Sequence, residues 1–130
     1  MNRITALVTA GALAAVPLAA LATAGSAQAD PGEKERRGVC ATGSFEFQVD
    51  RDNGGFEVGA DLDNVTPGST WTVVLKQDGK RFSKVTRTAD DEGDLDVDAF
   101  RSDSAGKDTF RFTARPSSGG AGCGATISYR

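Results

Sequence analysis

Along most of the chain apolar residues recur at every second position in short runs, the period expected of half-buried β-strands. In the first run Phe45, Phe47 and Val49 fall on one side, with Ser44, Glu46, Gln48 and Asp50 on the other. Phe56, Val58, Ala60 and Leu62 then alternate with Glu57, Asp61 and Asp63, and Trp71, Val73 and Leu75 form a third inward row. In the fifth run Leu95, Val97 and Ala99 face in while Asp94, Asp96 and Asp98 face out. Phe110, Phe112 and Ala114 follow, and Cys123, Ala125, Ile127 and Tyr129 make the last row. The fourth run, residues 80–88, is irregular. Phe82 and Val85 differ in parity there, which predicts a bulge or an edge strand.

The breaks between runs agree with this reading. Asp52-Asn53-Gly54-Gly55 and Gln77-Asp78-Gly79 supply residues that tolerate positive φ in tight hairpin turns. Pro67-Gly68, the acidic turn Asp90–Gly93, Ala105-Gly106 and the Gly/Ser-rich stretch 116–122 separate the rest. No segment sustains a helical period. About seven short strands therefore predict an all-β fold, a two-layer antiparallel sandwich. A tryptophan in the third run matches the immunoglobulin-like plan, in which the third strand buries a Trp in the core. That plan puts the first, second and fifth runs in one sheet and leaves the fourth free to join either.

The start of the chain breaks the pattern. Arg3 precedes an Ala/Leu/Val-rich stretch from Ile4 to Ala24, and Ala27-Gln28-Ala29 fits a small-residue cleavage site. Residues 1–29 are read as a signal peptide, which makes the protein secreted and extracellular. The alternative is a retained anchor, since about 20 apolar residues span a bilayer. Pro17, Gly11 and the Ala-x-Ala ending favour cleavage, with no membrane insertion afterwards. Residues 30–38 (DPGEKERRG) are charged, with Pro and Gly, and are expected to form a flexible charged tail. Residues 39–130 are the domain proper.

Cleavage leaves about a hundred residues, enough for one domain, and Leu, Ile, Val and Phe make up roughly a fifth of them, a thin core. A cross-link is the expected compensation. An exported chain with two cysteines has one possible pairing, Cys40 with Cys123. Closing a loop of about 84 residues stabilises a fold by up to about 4.5 kcal/mol on the chain-entropy model. In the immunoglobulin-like plan the first strand can run beside the last, which brings these two residues together.

The Trp71 run, QDG at 77–79, AGKDTFRFTA at 105–114 and the late Cys123 are features in which residues 39–130 resemble small secreted immunoglobulin-like proteins of actinobacterial type. The resemblance implies a fold and carries no catalytic signature.

Composition narrows the chemistry. The chain has 15 Lys+Arg, 18 Asp+Glu, two Cys and no His. Without imidazole there is no Ser–His or Cys–His dyad and no His-ligated metal, and two cysteines cannot build a four-Cys zinc site. A formal charge of −3 argues against a nucleic-acid partner, which calls for a basic footprint. A small sandwich offers little volume for a substrate cleft, so no enzymatic activity is expected.

The informative side chains point outward. Glu46, Glu57, Asp61, Asp63, Asp94, Asp96 and Asp98 fall on one predicted sheet face, whereas Lys76, Arg111 and Arg115 fall on the other. If the fourth run, with Lys80, Arg81, Lys84 and Arg87, lies beside the fifth, its cations neutralise the acidic face. If it joins the basic sheet, the acidic face is left for a cation or a basic partner. Asp90, Asp91, Glu92 and Asp94 are the densest carboxylate group and the candidate calcium ligands; no other cofactor is implied. The expected function is a non-enzymatic binding or interaction role, as a monomer, toward an extracellular protein or surface component. The alternative is a secreted inhibitor or small-ligand carrier that uses the 115–122 loop or a cation site on the acidic face.

Overall fold

The structure, a computed structural model, describes residues 32–130. The signal-peptide assignment for residues 1–29 lies outside the described residues. Eight strands form an all-β sandwich of two antiparallel sheets. They are β1 (Glu33–Cys40), β2 (Gly43–Asp52), β3 (Gly55–Asp63), β4 (Thr70–Gln77), β5 (Lys80–Thr88), β6 (Leu95–Ser102), β7 (Asp108–Pro116) and β8 (Cys123–Tyr129). The front sheet has the order β1-β2-β3-β6 and the back sheet β5-β4-β7-β8. The first, second and fifth predicted runs thus share a sheet, as expected.

Between the sheets lie the residues that alternation placed inside. Phe47, Phe56, Trp71, Phe110 and Phe112 are buried. The aromatic rings meet across the two layers, with centroids 4.8 Å apart for Phe56 and Phe110 and 5.0 Å for Phe47 and Phe112. Tilted pairs at this range add to the stabilisation from burial alone. The Trp71 indole nitrogen donates to Ser69 Oγ at 2.9 Å, so its burial strands no donor. At the two tight hairpins Asn53 and Gly54, then Asp78 and Gly79, all take positive φ, as type I′ turns require.

The expected flexible tail is corrected. Residues 33–38 are part of β1, paired in full register with β2 from Glu33↔Asp50 to Cys40↔Gly43. Three things order it. The ladder satisfies one edge of its backbone. Gly38 lets the Phe45 ring lie across the strand, at a place where a Cβ would sit 2.6 Å from the ring. Along the open seam with β8, Lys34 Nζ donates to the Ser128 carbonyl at 2.6 Å and stands 4.7 Å from the Tyr129 ring centroid. At the other end of that seam the Cys40–Cys123 disulfide, with Cα atoms 5.2 Å apart, ties the front sheet to the back one.

The fourth run is both edge and bulge. As β5 it pairs only with β4, and the register shifts between Leu75 and Lys76. That shift skips Phe82 in the pairing, and the ring packs partly buried against the core. The parity conflict in the sequence is this extra residue.

Candidate functional site: two charged outer faces

Register decides which charges are neighbours. On the front sheet Glu46 lies opposite Asp61, and Asp61 opposite Asp96, so three carboxylates form one row across β2, β3 and β6. Asp63 and Asp98 flank this row one step up and down their strands, and Glu57 lies farther along β3 beside Phe100. Asp61, Asp63, Asp90, Asp94 and Asp96 line a shallow depression of about 280 Å³. Asp61 is the centre. Partial burial, then the charges of Asp96, Asp98, Asp63 and Glu46, push its pKa up to about 6. Arg37 on β1 reaches Glu46 at 3.4 Å and also pairs with Glu35. Among the described residues these are the only ion pairs.

The back sheet is the reverse. Lys76 on β4 lies opposite Arg81 of β5 on one side and Arg111 of β7 on the other. Arg81, Lys76 and Arg111 therefore form a row of three cations, extended by Lys84 and Arg115. Strands β4, β5, β7 and β8 hold a single carboxylate, Asp108, and it is buried. The fourth run has joined the basic sheet, so its cations do not sit in the ladder beside β6. Arg87 borders the groove that Asp96 and Asp98 also line, yet forms no ion pair with them.

The expected calcium ligands do not converge. Asp90 Oδ1 accepts the backbone amides of Glu92 at 2.9 Å and Asp94 at 3.0 Å, closing its own turn. Asp94 Oδ1 accepts the Asn64 amide at 3.2 Å, while Asp91 and Glu92 point to solvent. Gly93 fixes the turn: its φ is +81°, and a Cβ there would meet the Val65 carbonyl oxygen at 2.1 Å. Among the described residues no three His, Cys, Asp or Glu side chains are placed to hold a metal ion. The carboxylate density of Asp90–Asp94 serves the turn.

One polar cluster was missed. At the end of the sandwich away from the disulfide, fully buried Asp108 accepts Gln77 Nε2 at 3.0 Å and the Ser104 hydroxyl through Oδ1. Gln77 also donates to the Ser102 carbonyl at 3.2 Å and accepts Arg101 Nε at 3.0 Å, fastening β6 of the front sheet to β4 of the back one. Burial raises the Asp108 pKa, but hydrogen bonds from Ser104, Gln77 and the carboxyl of Asp103 outweigh it and leave the pKa lowered. The signal was legible. Asp108 shares inward parity with Phe110 and Phe112, and Gln77 shares it with Trp71 and Leu75, so both are polar residues in apolar rows.

The 115–122 segment is a strand end followed by a loop. β7 runs through Pro116, and Ser117 N donates to the Thr70 carbonyl at 2.8 Å, leaving residues 118–122 exposed. No protein-family model, curated protein or solved structure matches the chain.

Proposed function

We propose that the protein is a secreted, non-enzymatic interaction module whose working surface is the outer face of the front sheet, and that its partner is cationic. The observation that carries this is the Glu46–Asp61–Asp96 row. Like charges directly opposite on neighbouring strands are destabilising, and here three stand in line with Arg37 as their one ion-pair partner, at the Glu46 end. Folded domains retain such local conflicts where a binding surface needs them. A partner that brings cations to the row relieves the repulsion, and the relief adds to the affinity. The inhibitor alternative finds less support, because an exposed loop with Gly119, Gly120 and Gly122 loses much conformational entropy on docking. The carrier alternative competes with a core already filled by seven buried aromatic side chains of its two inner faces.

Titration with an oligolysine peptide at low ionic strength, followed by amide NMR, tests the reading. Shifts concentrated on β2, β3 and β6 around Asp61, absent in the Asp61→Asn, Asp96→Asn variant, are expected. Shifts spread evenly over every acidic turn would overturn it.

A further inference from the structure

The two outer faces match each other. Glu46, Asp61 and Asp96 stand in one row across β2, β3 and β6, and Arg81, Lys76 and Arg111 in one row across β5, β4 and β7. Each row crosses three adjacent strands, so both share the inter-strand spacing of about 4.8 Å. The carboxylate row centres on Asp61 of β3 and the cation row on Lys76 of β4, each an interior strand of its sheet. Strands β4, β5, β7 and β8 place no carboxylate on the basic face, and Arg37 is the one cation ion-paired on the acidic face.

We infer that the cationic partner of the front sheet is a second copy of this chain, which presents the outer face of its back sheet. This rests on the reading that the front face takes a cationic partner. Like faces repel, so a symmetric front-to-front or back-to-back dimer is disfavoured. Front-to-back contact is heterologous, and it leaves one acidic and one basic face free at the two ends of every assembly. It therefore does not close at two copies but continues as a stack. A face of four strands, each about eight residues long, offers roughly 500 Å² per copy, near the lower limit for a specific interface. The contact is accordingly weak and sensitive to salt. The chain is a monomer when dilute and stacks where it is concentrated.

Sedimentation velocity of the exported chain, over a range of concentrations in low and high salt, provides the test. In low salt the average mass rises with concentration without a plateau at the dimer, and in high salt it returns to that of the monomer. Two charge-neutral variants sharpen this: Asp61→Asn with Asp96→Asn on the front face, and Lys76→Gln with Arg111→Gln on the back face. Circular dichroism first checks that both are folded. Each alone associates about tenfold more weakly than the parent. Mixed, they retain one acidic and one basic face between them, so they form a one-to-one dimer and nothing larger. Association as strong as the parent's in either variant alone, or a mixture that grows past the dimer as the parent does, overturns the inference. A chain that stays monomeric in low salt while oligolysine still shifts the Asp61 row overturns this inference and leaves the cationic-partner reading standing. Silence toward oligolysine removes both.

Discussion

Asp61 and Asp108 are both aspartates at strand positions, and the fold treats them in opposite ways. Asp108 is wholly enclosed yet holds its charge, because Gln77 and Ser104 direct hydrogen-bond donors at it and keep its pKa below the usual value. Asp61 is only half enclosed, yet its pKa is pushed up to about 6, because partial burial and four further carboxylates act on it without a cation of its own. The protein holds the charge it hides with neutral donors on one carboxylate oxygen and leaves most of the charges it displays without an ion pair. Burial alone does not decide what a carboxylate does. The neighbours that topology supplies decide it.

The covalent clamp opposite the Asp108 end sets the scale for breaking this arrangement. Replacing Cys40 and Cys123 together by Ser lowers stability by about 2–5 kcal/mol in urea unfolding, and leaves the sheets dependent on their packed core and on the Asp108 end. In the intact protein Asp108→Ala removes the buried acceptor of Gln77 and Ser104 and leaves Gln77 only the Ser102 carbonyl, at a cost of about 1–3 kcal/mol by the same measurement. Asp61→Asn moves the other way. Relief of repulsion at a partly solvated site raises stability by roughly 0.5–1 kcal/mol at neutral pH, and a loss instead would show that the row is compensated.

The pH dependence of the melting temperature separates the two carboxylates. The folded-state pKa of Asp61 lies above its unfolded value, so its contribution is fully present below about pH 4 and is lost as the pH rises through about 6. The pKa of Asp108 is lowered, so its contribution is present above about pH 4 and fades under stronger acid. Parent protein should therefore gain stability from about pH 7 to about pH 5 and lose it again at lower pH. In Asp61→Asn the first limb flattens, and in Asp108→Asn the acid limb does. The smallest expected effect is at Phe100, 58% exposed with its ring over Gly55. Its replacement by Ser changes stability by less than about 1 kcal/mol, a control that separates surface apolar contact from the charged row.

Most strands were legible from alternation, and the turns from Asn53-Gly54 and Asp78-Gly79, because each is a local property of the chain. β1 was not. Its inward positions hold Lys34, Arg36 and Gly38, which leave no apolar period to read, and its order comes from the β2 ladder, the Tyr129 ring and the disulfide. Asp90 is the reverse case. Carboxylate density is visible in the sequence, but the bonds from Asp90 Oδ1 to the Glu92 and Asp94 amides are not.

The sequence by itself determined which residues face in, where the hairpins turn and which two sulfurs can bond, since side-chain period and turn chemistry act over a few residues. Only the tertiary structure decided that β5 joins the back sheet and that Glu46, Asp61 and Asp96 stand in one row. Strand pairing brings together residues far apart in the chain, and Coulomb repulsion depends on that distance in space and not on separation along the backbone.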